Sequence, residues 1–362
     1  MTRTSPVTGG RVSGRDALRV GRVSAVWRPR TITVVLVTLL LAALVASVNI
    51  GRGDYPISPL EVLRTLFGGG SAATRFIVLE LRLPRTLTGL LVGAALGVAG
   101  AITQAIARNP LASPDLLGVT DGASVAAVLA IVLGGGSGLA VGGLATVGVP
   151  IAALGGGLVA AALVYGLAYR RGLDGYRLVL VGIGVASAAV SMTSWLLMAA
   201  QVEQAHQVLV WLRGSLNGRD WADVVPVSIA LLVLLPAALV LSFRLGPLAL
   251  DDDTARGLGV SLDRTRTALI LVAVLLAATA TACAGPIRFV ALVVPRIAQR
   301  LIGGGTAPLL GSAALGALLT VCGDLIARTV LGDSQPVGIV TVLLGAPYLL
   351  FLLVRRNRGA TT

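Results

Sequence analysis

Charged side chains fall at intervals along this chain, and the stretches between them are long and almost wholly apolar. Uncharged runs occupy 31–51, 86–107, 122–169, 178–202, 224–243, 267–287, 301–323 and 334–354. A helix needs about 20 apolar residues to cross the hydrocarbon core of a bilayer. Seven runs therefore predict one membrane helix each. The run 122–169 is long enough for two, and Gly134-Gly135-Gly136-Ser137-Gly138 marks the turn between them. Nine spans result.

An odd number conflicts with the charges at the ends. The first 30 residues carry seven arginines, and Arg355, Arg356 and Arg358 close the chain. Both ends read as cytoplasmic, because basic residues accumulate on that side. A tenth crossing is required, and the segment left for it is 289–302, FVALVVPRIAQRLI. At 1.5 Å per residue it is only about 21 Å long as a helix. It is expected to be a short helix buried in protein, since Arg296 and Arg300 face lipid only at high cost. With ten spans, cytoplasmic segments hold 20 arginines and the opposite side nine, while the acids divide eight and eight. Only the basic residues are biased, as the positive-inside rule requires. The reading is an all-α, polytopic protein of the cytoplasmic membrane. It has a basic, disordered arm at 1–30, a membrane domain at 31–356 and a short cytoplasmic tail at 357–362. The 21-residue first run is too long for the core of a cleaved signal peptide and reads as an uncleaved helix.

Composition narrows the function. Only 12% of residues are charged, about half the share in a soluble domain. The net charge of +13 lies between membrane runs, so it orients the chain in lipid and implies no nucleic-acid partner. All 29 basic residues are arginine, and a phosphate-binding P-loop needs a lysine. A standard ATPase is thereby excluded from this chain, and any ATP used is hydrolysed by a partner. One histidine, His206, and two cysteines, Cys283 and Cys322, give no metal-ligand spacing. No catalytic residue, metal site or bound cofactor is expected.

Three segments carry finer information. In 82–122, Gly89, Gly93 and Gly97 repeat every four residues and lie on one helix face, where a second backbone can approach closely. Gln104 is a lone amide in an apolar helix, either a hydrogen-bond partner to another helix or a pathway residue. Asn109-Pro110 stops that helix, and Ser113 with Pro114 suits the start of the next span. In 244–266, Asp251, Asp252 and Asp253 suit the positive N-terminus of a short helix. Leu250, Ala255 and Leu258 give it a small apolar face, and Gly257 and Gly259 end it. Finally, Arg82 and Arg85 flank Pro84 on the side where arginine is scarce. By pattern alone they either snorkel to the lipid interface or meet a partner.

The segments RLPR, the glycine-rich helix and NPLASPDLLGV within 82–119 are similar to the hallmark of the FecCD-type permeases for iron siderophores, haem and vitamin B12. The similarity continues in YRLVLVGIGV (176–185), WLRGSLNG (211–218), GPIRFVALVVP (285–295), DLIAR (324–328) and QPVGIVTVLLGAPYLLFLL (335–353), and covers about 31–356. Leu111 belongs to the NPLASPDLLGV loop with Asn109, Pro110 and Pro114. Departures are Arg296, where the family usually has histidine, and Arg288 and Ala291, where it usually has glycine. Asp121 stands where a small polar residue is common.

The resemblance implies the ten-helix fold of type II ABC importer permeases. Two permeases, identical or paralogous, pair around a central pathway. Two ATP-binding subunits dock from the cytoplasm and a solute-binding lipoprotein docks outside. Ala255, Leu258 and Gly259, with Leu250, resemble the coupling helix that fits a groove in the ATPase. Arg82, Arg85 and Arg328 are implied to pair with glutamates of the binding protein, while Asp324 is expected to pair with Arg328 four residues on. The implied cargo is a ferric siderophore, with haem and cobalamin as alternatives, moved by alternating access. The rival class is an ion-coupled secondary transporter. Asp121 is its single acidic candidate within the spans.

Overall fold

The structure is a computed structural model that describes residues 17–20, 23–26, 29–53, 55–136, 143–169, 175–242, 262–303, 308–331 and 335–359. Ala17–Val20 (β1) and Val23–Val26 (β2) pair antiparallel, with Ala17 opposite Val26. This hairpin differs from the unstructured arm expected at 1–30. The strands are four residues each, ALRV and VSAV, inside an arginine-rich stretch and too short to show a period.

Every remaining element is helical: α1 Pro29–Gly51, α2 Pro59–Leu66, α3 Ala72–Arg75, α4 Leu83–Ile106, α5 Val119–Gly136, α6 Gly143–Ala168, α7 Gly175–Ala199, α8 Val202–Leu212, α9 Trp221–Ser242, α10 Leu262–Ala284, α11 Val290–Ile302, α12 Leu309–Ile326 and α13 Val337–Gly359. Among the described residues seven helical stretches are long and apolar enough to cross a membrane, and two shorter apolar helices, Val119–Gly134 and Val337–Phe351, join them. With α11, a helix stands at each of the ten places the sequence marks.

The bundle is built around α4, which packs on α12, α10, α11 and α9. Small residues allow this crowding. Of the apolar window in Ala72–Ile106, 78% is buried, against 11% for α7 and 17% for α1. The peripheral helices instead show Leu36, Leu40, Leu44, Leu180, Trp195 and Leu232 on their surfaces. Large apolar side chains in such continuous exposure suit lipid or a protein partner, not water.

Helix α11 is short, as predicted, but buried on one face only, with Arg300 and Leu301 exposed. Val290, Ala291, Val294, Pro295 and Ala298 are buried against α4 and α12, and the arginines sit on the other face. Arg296 donates to Gln299 Oε1 at 2.8 Å, and the Arg300 guanidinium lies 6.0 Å from the ring centre of Tyr348. Pro295 has no N–H to donate to the Ala291 carbonyl, four residues back in the helix. That oxygen abuts the Cα of Gly100 on α4.

The loop after α4 departs from expectation in one detail. Pro114 opens a single 3-10 turn, Pro114–Leu117, closed by Gly118 at φ 69°, and α5 starts only at Val119. The Ser113 hydroxyl donates to Asp115 Oδ2 at 3.3 Å instead of accepting from the backbone. Asn109 Oδ1 accepts from the Leu111 N–H at 3.0 Å, which fixes the turn that ends α4. The short amphipathic helices α2 and α8 lie between the longer ones. The expected helix around Leu250, Ala255, Leu258 and Gly259 falls at 243–261, outside the described residues.

Candidate functional site

Three groups of sequence-marked residues come together in space. The first is a polar knot where α1 ends, α4 begins and α12 ends. Before α4 and after α12 the helix widens into π turns, Phe76–Arg82 and Ala327–Leu331. Arg82 and Arg328 sit on these widened turns. Arg82 donates to the carbonyls of Ile50 at 2.9 Å and Tyr55 at 2.8 Å. Arg328 donates to the carbonyls of Asn49 at 3.1 Å and Arg52 at 2.8 Å. Gly53, at φ 138°, lies against both guanidinium groups, and a Cβ there would displace them. Arg85 grips Asp324 with two parallel bonds, Nη2 to Oδ1 at 2.6 Å and Nε to Oδ2 at 3.1 Å. Asn49, wholly buried, donates to Asp324 Oδ2 at 3.0 Å and to Thr86 Oγ1 at 3.4 Å.

This arrangement corrects one expectation. Asp324 is fully buried and its ion pair reaches across the bundle to Arg85, instead of along its own helix to Arg328. A carboxylate removed from water needs several donors, and Arg85 with Asn49 supplies three. Arg82 is 9% exposed and faces two carbonyl oxygens, so a carboxylate there would meet like partial charge. Asn49 was missed. Its signal was available as a lone amide in the uncharged run 31–51, the same signal that singled out Gln104.

The second group is the small-residue face of α4. A side chain at Gly93 would strike the Gly316 carbonyl, one at Gly97 the Ser312 carbonyl, and one at Gly316 the Gly93 carbonyl. A Cβ on Gly89 would lie 2.9 Å from Leu216 Cδ1. The predicted close approach is thus made by α12. Gln104 Nε2 donates to the Leu292 carbonyl of α11 at 2.9 Å, the helix-to-helix role among the two weighed.

The third group gathers three of the quoted motifs around a chamber. Gly214 and Gly285, both at positive φ, press against the Pro286 and Trp211 carbonyls respectively. The Ser215 N–H donates to Ala284 O at 2.9 Å and the Gly338 N–H to Gly214 O at 3.1 Å. The segments WLRGSLNG, GPIRF and QPVGIV are therefore sewn together by backbone. They wall a cavity of about 490 Å³ whose polar lining is Asp121, Ser124, Thr193, Ser194, Arg213 and Arg288. Arg288 Nη2 meets Asp121 Oδ1 at 3.0 Å, and the arginine side chain is 54% exposed against 14% for the aspartate. Asp121, the acid that the rival reading required, is therefore ion-paired. A second cavity of about 510 Å³ shares Asp121 and Val190 with the first. It extends past Ser187 and Ser191 to Asp115. Among the described residues no group of three or more histidine, cysteine or acidic side chains is placed to hold a metal ion.

A glycine-packed helical bundle with apolar flanks and a chamber that carries charged and hydroxyl side chains on its wall is the build of a membrane transport protein. The sequence matches the FecCD transport family over residues 30–355, and the chain belongs to that family as a multi-pass membrane permease. It is 41% identical over 331 residues to the ferric enterobactin transport system permease protein FepG of Escherichia coli, covering 91% of this chain and 98% of the relative. It is 40% identical over 347 residues to the achromobactin transport system permease protein CbrC of Dickeya dadantii, covering 94% and 96%. The iron(3+)-hydroxamate import system permease protein FhuG of Bacillus subtilis is 38% identical over 330 residues, covering 91% and 98%. Among solved structures, a metal-chelate type ABC transporter in an inward-facing conformation superposes with a TM-score of 0.77 at 29% identity, covering 90% of this chain and 99% of that one.

Proposed function

We propose that this chain is the membrane-spanning permease of an ATP-driven importer that carries a ferric siderophore into the cytoplasm. The observation that carries this reading is similarity along almost the whole chain to permeases named for ferric siderophore transport, joined to the chamber in the bundle with its charged and hydroxyl side chains. In this reading all ten helices cross, both termini are cytoplasmic, and the polar knot of Arg82, Arg85 and Arg328 faces outward. A binding lipoprotein docks on that end, and docking glutamates draw on the same guanidinium groups that now hold backbone carbonyls (Arg82, Arg328) and Asp324 (Arg85). Two copies or paralogues pair with the chamber between them. Two ATP-binding subunits sit below and supply the chemistry, so this chain makes and breaks no covalent bond and needs no cofactor. ATP binding shifts the bundle between two packings, each open to one side.

Uptake of radiolabelled ferric siderophore by a deletion strain carrying this chain tests the reading. Transport is expected to require the partner ATPase and to persist when a proton uncoupler is added at maintained ATP. Collapse under the uncoupler at constant ATP would establish ion coupling instead.

The loop 250–259 gives a second expected result. Its apolar positions are few, so charge at Leu258 and Gly259 removes most of the surface that fits an ATPase groove. Leu258→Glu with Gly259→Glu is expected to reduce uptake to background and abolish cargo-stimulated ATPase activity, while the permease still inserts. Normal uptake by this variant overturns the coupling role.

A further inference from the structure

The chamber has a charge sign. Two arginines and one acid line it, among hydroxyls of Ser124, Thr193 and Ser194. Asp121 satisfies part of one guanidinium only. Arg288 meets it through a single Nη2 bond and keeps half its side-chain surface exposed. An arginine offers five N–H donors in a fixed fork, so most of those on Arg288 remain available. Arg213, the second arginine on the wall, forms no side-chain ion pair among the described residues. The second cavity, by contrast, carries Asp115 and Asp121 and no basic residue. Of these two cavities only the first is lined by basic side chains, and Asp121 lines both.

We propose that Arg288, with Arg213, is the specificity-determining element of the chamber and selects ferric chelates of net negative charge. This rests on the importer reading above and adds the charge class of the cargo and the residues that read it. The oxygen-rich anionic face of such a chelate competes with Asp121 for Arg288. A guanidinium so placed can donate two parallel N–H bonds to a second oxygen anion while it keeps its contact with Asp121. Asp121 is a positioning residue. It holds Arg288 across from α5 while the chamber is empty, and it repels an anionic chelate from the acidic second cavity until the bundle changes packing. A neutral chelate gains little from either arginine and leaves Asp121 as its counter-ion.

The test uses the full transporter reconstituted in liposomes with its binding protein and ATPase. Uptake is measured for two probes, a trianionic ferric tris-catecholate and a neutral ferric tris-hydroxamate. Wild type is expected to favour the catecholate. Arg288→Gln is expected to lower the catecholate-to-hydroxamate uptake ratio by about ten- to hundredfold, the size of one lost charge-assisted contact. Arg288→Lys restores part of the ratio, and Arg213→Gln shifts it in the same direction. A chamber in which Arg288 only braces α5 loses both uptakes equally in Arg288→Gln and keeps the ratio, which overturns the proposal. A wild type that prefers the neutral chelate also overturns it and leaves the importer reading intact. A wild type that carries neither probe removes the ferric-siderophore cargo from the importer reading, and the proposal with it.

Discussion

Asp324→Ala is expected to destabilise the folded permease by about 3–5 kcal/mol, the range for removing one member of a buried ion pair. The aspartate is fully buried, and the Arg85 side chain it pairs with is only 13% exposed. After the substitution the guanidinium keeps its charge in a place that water reaches poorly. Asn49 also loses the acceptor of its 3.0 Å bond. Asp324→Asn preserves shape but presents an amide to a cation, and is expected to fall between wild type and Asp324→Ala. Removing both charges is the informative control. Arg85→Met with Asp324→Leu leaves no unpaired ion, so the double variant is expected to be more stable than Asp324→Ala alone. Thermal unfolding in detergent, followed by monodispersity of the purified protein, measures all four. Equal melting of Asp324→Ala and wild type would show that the pair contributes nothing to the fold.

How much of this was legible in the chain differs from feature to feature. Helix positions were, because lipid imposes a length and excludes charge, and both are one-dimensional quantities. α11 was found by charge parity, since a chain with both basic ends on one side must cross an even number of times. The glycine face of α4 was readable because a four-residue spacing translates directly into one side of a helix. Partners across the bundle were not. Arg85 and Asp324 lie 239 positions apart, and no local rule links them. The i,i+4 rule pointed instead to Arg328, which is close in sequence but turned toward the carbonyls of Asn49 and Arg52. The helices α2 and α8 are eight and 11 residues long, too short to stand out where runs of about 20 were sought. The chamber was visible only in pieces. Its motifs were recognised one by one, and the backbone bonds from Gly338 to Gly214 and from Ser215 to Ala284 bring them to one wall.

The polar knot and the small-residue face are connected through α4. Its first residues anchor α1 and α12 by charge, and its next turns let α12 approach at backbone distance. Ion pairing at one end would be wasted if the helices were held apart below it, because Arg85 reaches Asp324 only while α4 and α12 remain in contact. Substitutions on the glycine face are therefore expected to weaken the knot as well, although they lie turns away from it.

Gly93→Leu is the strongest case. The space beside Gly93 is filled by the Gly316 carbonyl and the Thr320 hydroxyl, and Gly316 is in turn pressed against the Gly93 carbonyl. A flexible side chain would swing aside, but two helix backbones cannot, so the helices must separate. Overpacking of a core costs about 1–3 kcal/mol and sometimes more. Here it also breaks the contact of the central helix along several turns. Gly93→Leu is expected to leave little folded protein, and Gly93→Ala to cost about 1–3 kcal/mol. The reciprocal geometry makes a sharper statement. Once Gly93→Ala has parted the helices, Gly316→Ala occupies the gap already opened, so the double variant is expected to cost less than the sum of the two singles. Gly155 supplies the control, with nothing within 4 Å of the position a Cβ would take. Gly155→Ala is expected to be neutral or to stabilise by up to about 1 kcal/mol, because alanine is the better helix former. Detergent melting curves for these variants decide the matter. Additive losses at Gly93 and Gly316, or a loss at Gly155 as large as at Gly93, would mean that helix propensity and not backbone contact governs this face.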